Sequence, residues 1–405
     1  MAELLIRAST SDAALVRRIY GLDGRDAAMA RPSRIVVDAH APVSSRGGDL
    51  ITAVRRAGVP LLIDPQTFYW QGTQHANDPW TQLAFGRPAK LTPADVDASA
   101  QEELVAAVVG YQVANGATAI IPPYVHIDQL ISGWIDVQAG LWRRTRKYLD
   151  RQHLRLPVTA VLALGWRVLD PVNGPDVLAP VLTALSGLGP TDIALAASKT
   201  DQGKRTADRV MDLILMIEWL RREYPIIAWQ QGRLGEVAVA AGAIGYECGI
   251  AWRESCDLGT AANAHRAPAP TGPRAARPVF IPQLGRSIPK RSIEAIREHR
   301  DLWMRMLCHD TDCCPPGGTG LLADARAHAV IQRKKSLDQV SHILAPVWRW
   351  QRLATAADEG LDLAEHINRR ALNARAITPV NTGALAAISA VSHTRRADIR
   401  SRRVA

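Results

Sequence analysis

Short apolar, β-branched runs recur along the chain, and most are separated by stretches with apolar positions at helical spacing. The runs are RIVVDAH from Arg34, PLLIDPQT from Pro60, ATAIIPPYVHI from Ala117 and VTAVLALGW from Val158. They continue with DIALAAS from Asp192, PIIAWQQG from Pro225, AIGYECGI from Ala243 and PVFIPQLG from Pro278. Being apolar on both faces, they read as strands of a parallel sheet covered by helices. The connecting stretches suit that role. EELVAAVVGYQVA from Glu102 puts Leu104, Val105, Val108 and Val109 on one face, and ADRVMDLILMIEWLRREY from Ala207 repeats the pattern more strongly. Eight strand–helix units are the count for an α/β fold of the (β/α)8 TIM-barrel type. An open doubly wound sheet is the rival. The first strand is not followed by a Gly-rich dinucleotide fingerprint, which counts against it.

This pattern divides the chain into residues 1–33, a capping segment expected to be helical, and 34–285, the barrel. Residues 286–388 form a helical, zinc-binding subdomain, and 389–405 a frayed basic tail. Two insertions stand out. Phe68 to Leu91 carries Trp70 and Trp80, and the Ala-, Pro- and Arg-rich stretch from Ala261 to Pro278 reads as a loop.

Composition adds three constraints. With 47% hydrophobic and 22% charged residues in 405, the chain has material for a large core. No run of 18 apolar residues offers a membrane span, and the first residues lack a secretory apolar block, so the expected location is the cytoplasm. A net charge of +10 and a pI near 9.7 favour contact with a polyanion, nucleic acid being the usual one; plain solubility is the competing explanation. The oligomeric state is open, a homodimer being one assembly considered.

Three of the five cysteines, Cys308, Cys313 and Cys314, fall close together, and His328 follows on a helix-like stretch. Thiolates and an imidazole are ligands of the right softness for Zn2+, and four of them make a closed, structural site. His309 is a competing ligand. Free buried thiols, or a vicinal disulfide between Cys313 and Cys314, are the other readings. Beyond His328, the run QRKK offers cations to a phosphate backbone, or is an ordinary solvated helix face.

In such barrels the reacting groups sit where strands end. That rule selects Asp38, His40, Asp64, Gln66, Tyr124, His126, Ser198, Lys199, Gln230, Gln231, Glu247 and Gln283. Asp64 and Glu247 attract most notice, because carboxylates closing apolar strands need a reason. Two carboxylates facing across a mouth can divide labour at a glycosidic carbon, one meeting the cationic centre and one moving a proton. The structural alternative for each is a helix cap or an ion pair with a neighbouring Arg.

The order of parts resembles the tRNA-guanine transglycosylase family and, more loosely, its DpdA-type relatives that place 7-deazaguanine bases in DNA. That family follows its barrel with a zinc subdomain of three cysteines and a histidine, here matched by Cys308, Cys313, Cys314 and His328 in order but not in spacing. Its Asp-Ser-Gly-Gly-Phe-Gln motif lines up with DPQTFYWQ, where only Asp64 and Phe68 agree. Its Asp-Cys pair lines up with Glu247–Cys248, and GRLGEVAVAAG from Gly232 is similar to its Gly-Leu-Ala-Val-Gly loop. The resemblance implies a base-exchanging transglycosylase on DNA or tRNA that takes a modified purine base. Glu247 would be its nucleophile and Asp64 the acid/base. Phe68, Tyr124, His126, Gln230 and Gln231 would bind the base, with the aromatic insertion and Trp166 as stacking surfaces. The alternatives are a barrel that grips nucleic acid without reacting, and a TIM-barrel hydrolase or lyase acting on a small metabolite.

Overall fold

The computed structural model describes residues 1–404 apart from 45, 76–77, 171, 173, 265–275 and 315–319. Most of the loop expected from Ala261 to Pro278 therefore lies outside the described residues. Ten strands are described: β1 (Glu3–Ala8), β2 (Arg34–Asp38), β3 (Leu61–Asp64), β4 (His126–Ile127), β5 (Thr159–Gly165), β6 (Asp192–Ser198), β7 (Ile226–Ala228), β8 (Gly245–Gly249), β9 (Val279–Ile281) and β10 (Arg286–Ile288). The helices that alternate with the first eight are α1 (Ala13–Ile19), α2 (Gly47–Ala57), α3 (Ala98–Ala114), α4 (Trp134–Arg151), α5 (Gly174–Leu188), α6 (Thr206–Leu220), α7 (Gly235–Ala241) and α8 (Leu258–Asn263). Six more follow: α9 (Lys290–Ile296), α10 (Arg300–Met306), α11 (Gly320–Ala323), α12 (Ala325–Ser341), α13 (Pro346–Ala371) and α14 (Gly383–Val404).

Eight strands form one parallel sheet in the order β3-β2-β1-β8-β7-β6-β5-β4. Chain order is thus kept around the sheet, with β1 paired to β8, as a (β/α)8 barrel requires. The remaining gap is bridged by residues just before β4. Thr118 donates its N–H to the Leu61 carbonyl at 2.9 Å, and Ile120 bridges to Val158 in parallel. Pro122 and Pro123 remove two donors directly after that bridge, which accounts for the short β4. The strands are buried almost throughout, which explains their Val/Ile/Leu/Ala composition.

Two expectations are corrected. The chain's first residues are not a capping helix: β1 is a barrel strand, hydrogen-bonded on both edges. Only three consecutive apolar residues, Leu4 to Ile6, mark it, and the following DAALVRRI prolongs them at helical spacing. Conversely, PVFIPQLG is outside the ring. There β9 pairs antiparallel with β10 around Pro282–Leu284. Prolines at 278 and 282 bracket it, and proline cannot serve a central parallel strand.

The C-terminal helices lie against the barrel flank, with α14 packed on α13 and α6. Residues 389–404 continue α14 rather than fraying, because Ala387 and Val391 are buried and Arg395 pairs with Glu218. Among the described residues, no helix is long and apolar enough to cross a membrane.

Candidate active site and metal centre

Side chains alternate along a strand, so Leu5 and Arg7 of β1 share a face. Registry sets Leu5 beside Glu247 of β8, Arg7 beside Gly249, and Asp38 of β2 beside Asp64 of β3. Arg7, Asp38, Asp64 and Glu247 meet towards the C-terminal end of the ring, and Arg7 is the hub. Its Nη1 lies 2.7 Å from Asp38 Oδ1, its Nη2 2.8 Å from Asp64 Oδ2 and its Nε 2.9 Å from Glu247 Oε1. Asp38 Oδ1 also takes Arg253 Nη1 at 2.7 Å. The Arg7 guanidinium carbon sits 5.3 Å from the Trp229 ring centre. Asp64 and Glu247 thus do converge, but they are fully buried, with Arg7 between them.

Arg277 and Arg326 share Asp12 at the edge of the same network, so acids and guanidiniums are matched in number. Burial pushes the Glu247 carboxyl up, against the opposing pull of Arg7. Burial acts on Asp38 too, but Arg253 and Arg7 outweigh it and hold Asp38 well below the usual carboxylate range. Tyr124, whose hydroxyl donates to Asp64 Oδ1 at 2.9 Å, is held neutral by burial and by that carboxylate.

Backbone strain concentrates here. Gln66, Lys199, Gln230, Ala251 and Arg253 are non-glycine residues with φ between 51° and 65°, and all follow barrel strands at the mouth. Left-handed backbone costs a side-chain-bearing residue free energy and persists where surroundings impose it. Two of the five serve the acids directly: Gln66 donates its backbone N–H to Asp64 Oδ1 and Gln230 its own to Glu247 Oε2, each at 2.9 Å.

The other sequence-selected residues divide. Gln231 spends its amide on the Ala197 carbonyl at 2.7 Å, and Gln230 acts through its backbone. Phe68 packs buried beside Tyr124, with ring centres 5.9 Å apart. Trp70 and Trp80 are core residues, each donating its indole N–H to a backbone carbonyl, so the aromatic insertion offers them as no stacking surface. Trp166 lies between Arg167 and Arg209. His126 lines a cavity of about 390 Å³ with Phe68, Gln71, Asp128 and Trp134. Burial pushes its imidazole down to about 4, against the pull of Asp128 and Asp257. A second cavity, about 210 Å³, opens directly over Arg7 and Asp38 and is walled by Ser9, Asp12, Trp252, Arg253 and Arg277. Arg7, Arg253 and Arg277 are the site residues that sequence reasoning missed. The usable signal was an arginine inside the apolar run LLIRA.

The cysteine cluster assembles as read. Cys308 follows α10, Cys313 and Cys314 lie in the next turn, and His328 projects from α12. Their ligand atoms all fall within 4.8 Å of one another, and all four residues are buried. Cys308 Sγ is 3.7 Å from Cys313 Sγ, while His328 Nδ1 is 3.5 Å from Cys313 Sγ and 3.4 Å from Cys314 Sγ. A tetrahedral ion with metal–sulfur bonds of about 2.3 Å needs sulfur–sulfur edges of about 3.8 Å. His328 Nε2 lies 3.0 Å from the Phe280 carbonyl, which takes the ring proton there and leaves Nδ1 as the lone-pair nitrogen facing the thiols. The donor set therefore fits a metal ion, and His309 is not part of it. The QRKK cations are spent internally: Arg333 on Glu254, Lys334 on Asp338, and Lys335 on Asp310 and Asp312. They are not the free phosphate-binding face considered from the sequence.

No family model and no curated protein matches the chain. Among solved structures it is similar to a protein described as a phosphonomutase from Burkholderia cenocepacia J2315, at 13% identity and TM-score 0.34 over 61% of this chain and 86% of that one. It is similar to a GH18 chitinase from Pseudoalteromonas aurantia, at 8% identity and TM-score 0.38 over 61% and 93%. A third is the carboxyl transferase domain of Rhizobium etli pyruvate carboxylase, at 10% identity and TM-score 0.36 over 98% and 61%. Likeness this distant adds nothing to what strand order and site geometry already establish: a (β/α)8-barrel protein with a carboxylate-lined mouth and a Cys3His cluster on its flank.

Proposed function

We propose that the chain is an enzyme whose reaction takes place at the barrel mouth, at the glycosidic carbon of a small substrate. One observation supports this above the rest: Asp38, Asp64 and Glu247 converge on Arg7 at one end of the barrel, and of the three Asp38 lines the cavity above it. Cleavage at a glycosidic carbon builds positive charge on the sugar, which an ionised carboxylate at the mouth stabilises. Asp38, ionised and lining the cavity, is the acid that meets that charge. Glu247 has both oxygens engaged and a carboxyl pushed up by burial, which suits it to hold a proton better than to attack carbon. The nucleophile role that the resemblance implies for it is therefore not adopted. In a hydrolysis, water adds to the sugar carbon, its proton passes to a carboxylate, and the leaving group takes a proton from a carboxyl. The cavity over Arg7, about 210 Å³, favours a small molecule over a polymer. The test is turnover of a panel of nucleosides, nucleotides and glycosides, followed by chromatography. Asp38→Asn should lower kcat/KM by about a hundredfold or more in protein that circular dichroism shows to be folded at the assay temperature. Undiminished turnover by that variant would remove the assignment.

A second reading, base exchange on DNA or tRNA, is favoured by the meeting of Asp64 and Glu247 at one point, as the transglycosylase resemblance implies. Incorporation of labelled base into tRNA or duplex DNA, lost in Glu247→Gln, would select it. Salt-dependent binding of nucleic acid without exchange would select a non-catalytic barrel. We read the Cys3His cluster as a structural zinc site, since three thiolates and a neutral imidazole leave no open position.

A further inference from the structure

We infer that the cavity over Arg7 is a subsite for a phosphomonoester on the substrate, gripped by Arg253 and Arg277. The inference rests on the proposed placement of the reaction at the barrel mouth, and it names a substrate class within that reading.

The cavity is walled by three guanidiniums, from Arg7, Arg253 and Arg277, and by two carboxylates, from Asp12 and Asp38. Exposure separates the two outer arginines from the acids. The side chains of Arg253 and Arg277 are 39% and 24% exposed, those of Asp38 and Asp12 14% and 1%. The acids thus stand behind the cations and aim them. Asp38 holds Arg253 Nη1 at 2.7 Å, and Asp12 holds Arg277 Nη1 at 3.0 Å. Asp12 is shared with Arg326 at 2.8 Å, so its single charge is spread over two guanidiniums and leaves Arg277 incompletely neutralised. The Arg253 side chain makes no other hydrogen bond among the described residues, which leaves its Nε and Nη2 to donate side by side. That fork is the donor geometry that phosphate oxygens accept in pairs.

The loop that carries Arg253 is built to bring it back over the mouth. Ala251 and Arg253 both take left-handed backbone, at φ 65° and 55°. Gly249 lies so near the Trp252 carbonyl that a Cβ there would come within 1.9 Å of its oxygen. Arg277 is held in place by Ser9 and Ser11, whose hydroxyls accept from its Nη2 at 2.7 and 2.9 Å, and Ser9 in turn donates to Asp12. A phosphate seated there lies beside Asp38, so the ester's sugar would be delivered to that acid.

The experiment is equilibrium binding to the full chain, without turnover. Wild-type protein is titrated with ribose 5-phosphate, inorganic phosphate and ribose, by calorimetry and by the fluorescence of Trp252, which lines the cavity at 48% exposure. Trp252→Phe identifies that residue's share of the signal. Saturable binding of ribose 5-phosphate, none of ribose, and weakening by about tenfold or more in Arg253→Gln and Arg277→Gln are expected. Lys90→Gln, in the other cavity, should change nothing. Three results overturn the inference: no saturable binding of the sugar phosphate by wild type, equal affinity for inorganic phosphate, or affinity unchanged in both arginine variants. Arg277→Gln also removes a partner of Asp12, but Arg253→Gln leaves the Asp12 network intact and the wild-type titrations need no variant. Binding without any glycoside turnover would sink the proposed reaction and keep the subsite; turnover indifferent to the arginines and to phosphate would do the reverse.

Discussion

At the scale of single residues, the mouth is governed by Arg7. It is the buried counter-charge for Asp64 and Glu247 and half of that for Asp38. Removing one member of a buried ionic cluster costs far more than the cluster itself contributes, because the partners stay buried and uncompensated. Arg7→Met should therefore lose about 3–5 kcal/mol of unfolding free energy at neutral pH in urea melts. The loss should shrink on acidification, as the stranded acids take up protons. A variant within a few tenths of wild type would mean the acids are reached by solvent after all. His126 carries a separate prediction. Its folded-state pKa, about 4, lies below the ordinary 6.5, so folding favours the neutral ring. That contribution is fully present above pH 6.5 and is lost as pH falls towards 4. Urea melts at pH 7 and pH 4.5 should show a steeper loss for wild type than for His126→Gln. Asp64 and Glu247 could be picked from sequence because a carboxylate closing an apolar strand stands out. Arg7 could not, since its meaning depends on three partners distant in the chain.

At the scale of elements, legibility followed burial. Strands β2, β3 and β5 to β8 showed as apolar runs because each lies under helices on one face and in the barrel core on the other. The failures, β1 and β9, are cases where the run was too short or its partner was local. The Cys3His cluster was legible as a ligand set that could staple the C-terminal helices to the barrel, but its link to the mouth was not. Helix α12 holds more than His328: its Arg326 reaches Asp12, and its Arg333 reaches the Gly232 carbonyl at 2.6 Å and Glu254 beyond it. Glu254 follows Arg253 in the loop that roofs the mouth, so the Cys3His cluster and the mouth share one helix. Chelating the metal should accelerate amide hydrogen exchange in α10, α12 and residues 249–257, and leave β5 and β6 protected. Acceleration confined to the cysteine turn would show that the clamp does not extend to the mouth.

At the scale of the whole molecule, the decisive feature is that the ring closes through its first strand. Leu4, Leu5 and Ile6 are buried, β1 hydrogen-bonds to β2 on one edge and β8 on the other, and Arg7 at its end neutralises the mouth. A capping segment of that length could be removed at small cost. A barrel strand cannot, because its loss bares two unpaired strand edges and leaves Glu247 and Asp64 without their cation. Deleting residues 2–8 should therefore give a chain with no cooperative thermal transition and strong dye binding to exposed apolar surface. Supplying those residues again, fused by a flexible linker after Val404, tests the cause directly, since α14 must then release the linker across the barrel to refill the gap. Recovery would depend on the linker's reach, whereas a truncated chain that melts like wild type would place β1 outside the structural ring.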